Sequence, residues 1–173
     1  MNLKDFLIQH EVAIVRRWAD LIFGTYPAET YNFLKREKNR FDNPVAYQVN
    51  EGLKGLYKAL IHEMEVEELD NHLDEIIRIR AIQDFTPAQA VAFIFLLKNV
   101  VREQFREHFK GEAGIAQFSQ ELFDFDSHID GLALIGFNVY MKRREKLHKI
   151  RLEEVRNKVS GLLRRTGMTI DYH

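Results

Sequence analysis

The chain has 173 residues and a formal net charge of −1, with 46% hydrophobic and 29% charged residues. This composition suits one globular domain, and the near-neutral charge provides no general attraction to nucleic acid or to a membrane surface. The absence of cysteine excludes disulfides, thiolate catalysis, iron–sulfur clusters and cysteine-ligated zinc. No signal peptide or transmembrane-length apolar run is visible, so we predict a cytoplasmic protein that does not insert into membranes.

Helical periodicity begins at the N-terminus and continues through the first third of the chain. We expect a first helix over residues 2–25, a second over 28–38 and a third over 43–64. Asn2 can cap the first helix, and Asn43 followed by a proline suits the start of the third. Two glycines lower the helix propensity of the third helix and predict the close approach of a neighbouring helix. These are Gly52 and Gly55.

Two further helices are predicted near the middle of the chain, over residues 67–85 and 87–110. They meet at a tight corner. Thr86 can act as N-cap of the second helix, with Gln89 completing a capping box and a proline at the first helical position. Residues 90–97 are apolar on every side, which predicts a central position in the fold.

The C-terminal part of the sequence predicts a short helix over residues 115–123 and a long one over 128–165. Ser127 is the expected N-cap of the long helix, three residues before an aspartate. A helix of about 38 residues spans about 57 Å, which exceeds a compact domain of this size. We therefore predict a helical domain over residues 1–141 and an extension over 142–173 that projects or pairs with another chain.

The predicted fold class is all-α, with about six to seven helices, because no strand-like alternation is sustained. The periodicity fits both a globin-like arrangement and a simpler helical bundle. No phosphate-binding loop, nucleophile elbow or general acid–base pair is present. We therefore predict no enzyme, no catalytic residues and no cofactor.

The first candidate site is the pair Arg80 and Asp84, four residues apart on an otherwise apolar helix face. A charge on such a face must be paired. A ligand pocket or switch is one interpretation. A structural ion pair, or an arginine whose head reaches water, is the commoner explanation, and we favour it.

Two further groups of charged residues invite a binding interpretation. Basic and aromatic side chains share one face of the helix over 87–110 and suit either an anion or simple solvation, the second being favoured. Acidic residues and a histidine around Ser127 suit either a metal ion or helix capping, and capping is again favoured. The two groups are Lys98, Arg102, Phe105 and Phe109 with Glu103 and Arg106 beside them, and Asp124, Asp126, His128 and Asp130.

The predicted extension carries ten Lys or Arg against four Asp or Glu. Its apolar residues follow the 3-4-3 spacing of a short coiled-coil seam. Such a helix can dimerise, present a basic face to an acidic partner or pack back on its own domain, and its length favours dimerisation. The seam residues are Leu152, Val155, Val159 and Leu162.

Four stretches of the sequence together resemble a known family, the N-terminal domain of RsbRD, an RsbT co-antagonist of the RsbR type. They read NPVAY (43–47), DEIIRIRAIQDFTPAQAVAFIFLLKNVVRE (74–103), DSHIDGLAL (126–134) and YMKRREKLHKIRLEEVR (140–156). Ten residues match the family's pattern with no role assigned by the resemblance. They are Arg78, Arg80, Asp84, Phe85, Arg102, Glu103, Asp126, Asp130, Arg144 and Glu145.

The resemblance implies a non-enzymatic sensor or regulatory module of the stressosome type. In RsbR-type proteins a helical domain, similar to a globin without haem, dimerises and leads through a linker helix to a STAS output domain that controls the RsbT kinase. No STAS pattern follows here, because the sequence ends at His173. We therefore expect a homodimer that acts on protein partners, and a small-molecule ligand is compatible with this interpretation.

Two other functions stay open at the level of sequence. One is a globin-like binder of haem or a small ligand, which needs an axial histidine in an aromatic pocket. The other is an accessory subunit of a larger redox or membrane complex, which the missing output domain suggests.

Overall fold

The computed structural model describes residues 2–36, 43–62, 65–83, 85–109 and 116–167. These residues form seven α-helices, and no strand is present among them. The helices are α1 (Leu3–Gln9), α2 (Glu11–Phe23), α3 (Ala28–Arg36), α4 (Pro44–Ile61), α5 (Val66–Ile82), α6 (Pro87–His108) and α7 (Ser119–Thr166). The predicted all-α class with a long C-terminal helix is confirmed.

The expected N-caps are present at the starts of three helices. Asn2 caps α1 by accepting a hydrogen bond from the N–H of Asp5 at 2.8 Å. Asn43 caps α4, whose first residue is a proline. At α6, Thr86 and Gln89 form the predicted reciprocal capping box. These starts were predictable because a cap depends on residues within one turn of the helix.

The single helix predicted over residues 2–25 is wrong, because the chain bends at His10 and forms α1 and α2 instead. His10 has φ −104° and ψ 11°, outside the helical range. The bend allows Phe6 to pack edge-on against Phe105, with ring centroids 5.0 Å apart. A contact almost a hundred residues away in sequence therefore decides where the first helix ends.

The separate helices predicted over 115–123 and 128–165 are also wrong, because α7 runs without a break from Ser119 to Thr166, 48 residues. Ser127 is not an N-cap, since its hydroxyl donates to the carbonyl of Phe123 at 2.9 Å inside the helix. Such a bond one turn back satisfies the hydroxyl within a continuing helix. At 1.5 Å per residue α7 is about 72 Å long.

The core lies where α5 packs against α4 and α7, and α6 against α2 and α7. Ala90, Phe93 and Leu97 of α6 are buried, as expected for a central helix, but Phe95 is exposed. Residues 90–97 therefore present one side to solvent, and the prediction of a wholly central helix is only partly right.

Glycines mark the closest helix contacts. A Cβ at Gly55 would lie 2.3 Å from the ring of His72, and one at Gly52 would lie 2.9 Å from Ile76. The expected close approach of a neighbour to this part of α4 is confirmed, and the neighbour is α5. A Cβ at Gly136 would lie 2.7 Å from Ile94, which places α7 equally close to α6.

The last buried residue of α7 is Tyr140. No residue from Met141 to Thr166 is buried among those described, so the C-terminal half of α7 projects from the bundle. In the part of the chain that the structure describes, no helix combines the length and apolar character needed to cross a membrane.

Candidate functional site

Arg80 is the most deeply buried charged residue among those described, with 1% of its surface exposed. It lies near the C-terminus of α5, beside the end of α2 and the first turn of α6. Its Nη2 donates to the carbonyl of Gln89 at 2.9 Å and to Oγ1 of Thr25 at 3.3 Å. Asp84, the partner predicted from the sequence, lies outside the described residues.

Three aromatic rings surround the guanidinium of Arg80. Its Cζ lies 4.2 Å from the ring centroid of Phe85, 5.5 Å from that of Tyr26 and 5.9 Å from that of Phe93. A cation over a ring face is attracted by the ring quadrupole, most strongly where water is excluded. We refer to Arg80, Tyr26, Phe85 and Phe93 as the Arg80 cage. Phe85, a residue of the family pattern, therefore belongs to the same site as Arg80.

Hydrogen bonding inside the Arg80 cage is incomplete. Nε and Nη1 of Arg80 and the hydroxyl of Tyr26 are buried and form no hydrogen bond of good geometry with the described residues, although Arg80 and Tyr26 lie close enough to interact weakly with each other. Burial lowers the pKa of Arg80, an effect that Tyr26 opposes. Burial also raises the pKa of Tyr26, and the positive charge of Arg80 opposes that shift. The sequence placed Arg80 on an apolar helix face but gave no sign of Tyr26, 54 positions earlier. The favoured alternative in which the head of Arg80 reaches water is wrong, because the guanidinium is buried.

The Arg80 cage is connected directly to α7. The hydroxyl of Tyr140 donates to the backbone carbonyl of Phe85 at 2.7 Å. Phe85 thus covers the guanidinium with its ring and holds α7 with its carbonyl. Since Tyr140 is the last buried residue of α7, this bond lies where the helix leaves the bundle. Sequence analysis missed Tyr140 because nothing local distinguishes it.

The charged residues of α6 and α7 form ion pairs across the interface between these helices. Lys98 Nζ lies 2.6 Å from Asp130 Oδ1, and Arg102 is paired with Asp126. The predicted solvated basic face is partly right, because Arg102, Glu103 and Arg106 are exposed, but Lys98 and Arg102 also pair across the helices. The prediction of acidic N-caps is wrong, because α7 is continuous through these aspartates. Among the described residues, no group of three or more His, Asp or Glu is placed to hold a metal ion.

The other residues of the family pattern lie apart from the Arg80 cage. Arg78 is exposed on α5, and Glu103 forms an exposed pair with Arg17 at 3.7 Å. Arg144 and Glu145 lie where α7 begins to project. Apart from Asp84, which lies outside the described residues, these residues therefore fall into separate groups on the bundle and do not form one pocket.

A further ion pair, not predicted from the sequence, holds α7 near the point where this helix leaves the bundle. Arg143 binds Asp74 of α5 through two hydrogen bonds. These bonds raise the pKa of Arg143, against a smaller effect of burial. Together with the bond from Tyr140 to Phe85, this pair fixes α7 to the bundle within one turn of its last buried residue.

An exposed apolar stripe lies on one face of α7 in two segments, which Arg144 and His148 separate on that face. Successive residues of a helix are rotated by 100° about its axis, and on this basis the side chains of the stripe fall within a sector of about 80° around α7. They are between 40% and 71% exposed, and they include the four seam residues predicted from the sequence. The stripe consists of Phe123, Leu134, Phe137, Met141, Leu152, Val155, Val159 and Leu162. In the first half of the stripe, Leu134, Phe137 and Met141 also follow a 3-4 spacing, and this was the sequence signal that could have revealed it.

An open groove of about 690 Å³ lies between α2 and α4. Val15, Ala19 and Phe23 form part of its apolar floor, and Arg16 and Lys54 lie among its charged residues. No histidine is among the described residues that line it. The groove therefore provides no axial ligand of the kind that a haem-binding globin uses.

Comparison with known families bears directly on this arrangement. The profile of the RsbT co-antagonist protein RsbRD N-terminal domain matches residues 12–155. The chain belongs to this family. The match includes the Arg80 cage and continues past Tyr140 into the projecting part of α7. No curated protein and no solved structure matches the chain.

Membership of the RsbRD N-terminal domain family confirms the resemblance drawn from the sequence. It implies a regulatory domain of the stressosome type. Regulation requires one surface that receives a signal and another that passes it on. In this RsbRD N-terminal domain, a direct hydrogen bond connects the Arg80 cage to Tyr140, just before the point where α7 leaves the bundle.

Proposed function

We propose that this RsbRD N-terminal domain is a non-enzymatic regulatory module that forms a homodimer and passes its signal to protein partners through α7. One observation carries the proposal. The apolar stripe of α7 is exposed in the single chain and extends far beyond the bundle that could cover it. Exposed apolar surface of this extent marks a protein–protein contact.

A second copy of the chain is the partner that best fits the C-terminal half of the stripe. Leu152, Val155, Val159 and Leu162 alternate in steps of three and four, the spacing of a two-stranded coiled-coil seam. A stripe that pairs with itself gives a two-fold dimer, the commonest arrangement among oligomers. Full burial of one such side chain contributes about 1.5–3 kcal/mol. Several of them together can offset the entropic cost of association.

The proposal is tested by light scattering coupled to size-exclusion chromatography. Val159→Asp introduces a charge into the stripe. Ile150→Asp is the matched control, because Ile150 and Val159 are both 44% exposed but lie on opposite faces of α7, about 180° apart. We expect the wild type and Ile150→Asp to be dimers and Val159→Asp to dissociate.

A wild-type monomer at high concentration would contradict the homodimer. It would favour instead an accessory subunit whose stripe meets a different protein, with the basic residues of the extension directed at an acidic surface. Equal dissociation of both aspartate variants would show that charge on α7 in general, and not the stripe, controls assembly.

A further inference from the structure

The guanidinium of Arg80 has no counter-ion among the described residues. None of the ion pairs formed by these residues includes it. Taking a charge out of water is costly, and a buried charge is normally paired or bound to a ligand. Ring faces and two neutral acceptors supply part of the compensation. They supply no negative charge.

The unpartnered atoms of the Arg80 cage share one chemical character. Nε and Nη1 of Arg80 are donors, and the hydroxyl of Tyr26 is able to donate. The first turn of the 22-residue helix α6 adjoins them, and the positive end of a helix dipole also favours negative charge. A group that satisfies these donors must be an acceptor, and a charged acceptor also neutralises Arg80.

We propose that the Arg80 cage binds a small monovalent oxyanion of the carboxylate class. Arg80 and Tyr26 donate hydrogen bonds to its oxygens, while Phe85 and Phe93 enclose it. The ring centroids lie only 4.2–5.9 Å from Cζ of Arg80. Because these rings lie against the guanidinium, formate, the smallest carboxylate, is the appropriate probe.

The same geometry couples the bound anion to α7. Phe85 is the residue in common, because its ring lies against the guanidinium and its carbonyl accepts the hydrogen bond of Tyr140. An anion beside Arg80 changes the position of this ring and hence the anchor of α7. This step rests on the proposed function, since it makes the Arg80 cage the input of a module whose output is α7.

The test uses the full chain and its single tryptophan. Trp18 stacks on Phe93 with ring centroids 6.1 Å apart, and its Nε1 donates to the Phe93 carbonyl at 2.7 Å. The fluorescence of Trp18 therefore reports on the Arg80 cage. Sodium formate is titrated at constant ionic strength, with sodium gluconate as the balancing salt. We expect a saturable change in emission together with a higher unfolding temperature.

Three variants locate the response. Tyr26→Phe removes one hydroxyl and keeps the ring, so we expect formate to bind about tenfold more weakly, the effect of one buried hydrogen bond. Arg80→Lys replaces the planar guanidinium and its Nε donor by a single ammonium group, so the fluorescence response to formate should disappear. Arg106→Lys is the matched control on an exposed arginine and should respond as the wild type does. Tyr26→Phe decides the question even if Arg80→Lys does not fold.

One result would overturn the anion site outright. Asp84 lies four residues after Arg80, and its carboxylate is the alternative counter-ion. In that case the wild type shows no saturable response to formate, and Asp84→Asn acquires one. An unchanged formate affinity in Tyr26→Phe would equally contradict the proposal.

The coupling to α7 has its own measurement. In the wild type, saturating formate should change the dimer dissociation constant, whereas in Tyr140→Phe formate should bind equally well and leave this constant unchanged. An equal formate effect in both proteins would contradict the coupling. A monomeric chain that still binds formate would refute the homodimer alone, and a dimer without a formate response would refute the anion site alone.

Discussion

The contact between α6 and α7 at Gly136 leads to a quantitative prediction about the free energy of unfolding. A Cβ at this position would lie 2.7 Å from Cδ1 of Ile94 and 3.0 Å from Cγ1 of Val91. Gly131, in the same helix, has nothing within 4 Å of its Cβ position. The two glycines thus differ in packing but share a helical backbone.

Gly131→Ala should stabilise the chain by up to about 1 kcal/mol, because alanine favours the helix over glycine by this amount. Gly136→Ala gains the same propensity but forces a methyl group into a filled core, which costs about 1–3 kcal/mol. The propensity term cancels between the two variants. Because the nearest atom is the flexible end of the Ile94 side chain, which can shift, we expect Gly136→Ala to be less stable than Gly131→Ala by about 1 kcal/mol, the low end of this range.

Urea denaturation followed by circular dichroism measures both variants, and the difference corresponds to about 2–4 °C in melting temperature per kcal/mol. A double variant supplies the internal control. Ile94→Val removes the Cδ1 atom that the new methyl group meets, so it should be better tolerated when combined with Gly136→Ala than in the wild-type chain.

Equal stabilisation by Gly131→Ala and Gly136→Ala would refute this packing of α6 against α7. A full loss of stability in Gly136→Ala without any relief from Ile94→Val would place the clash elsewhere.

Three further outcomes can be checked in the same assay. Tyr57→Phe removes a buried hydrogen bond of 3.0 Å to the Leu7 carbonyl and should cost about 1 kcal/mol. Burial raises the pKa of Tyr57, so its contribution is full below about pH 10 and is lost as the pH rises above it, and Tyr57→Phe should show a shallower alkaline decline. Asp126→Asn breaks an exposed ion pair with Arg102 and should cost less than about 1 kcal/mol. Trp18→Phe removes the buried hydrogen bond from Trp18 to the Phe93 carbonyl and should cost about 1 kcal/mol.

Features controlled by neighbouring residues were predictable from the sequence. The caps at Asn43 and Thr86 depend on residues within one helical turn, and both were correct. Glycine spacing likewise indicated the tight contact of α4. The seam over Leu152 to Leu162 was recognisable because coiled-coil spacing is a property of one helix.

Features controlled by distant residues were not predictable. Ser127 has the sequence signature of a cap, but the aspartates around it pair with basic residues 24 and 32 positions away, and the helix continues. The sequence singled out Arg80, yet the rings and acceptors around it come from the turn after α2, from the corner before α6 and from α6 itself. Tertiary contacts of this kind leave no periodic signal in a single sequence.

The unbroken course of α7 through the edge of the bundle restricts how the chain can vary in length. Between Tyr140 and Leu152 the backbone is a continuous α-helix. Each inserted residue therefore rotates the part of α7 that follows it by about 100° about the helix axis. One added residue after Tyr140 would aim Leu152 and Val159 away from the face that Leu134 and Met141 occupy. An insertion of seven residues, close to two full turns, would restore the alignment to within about 20°. Length changes in this segment that keep the helix in phase, such as seven residues, should therefore be better tolerated than a single insertion, provided that the inserted residues are helix formers.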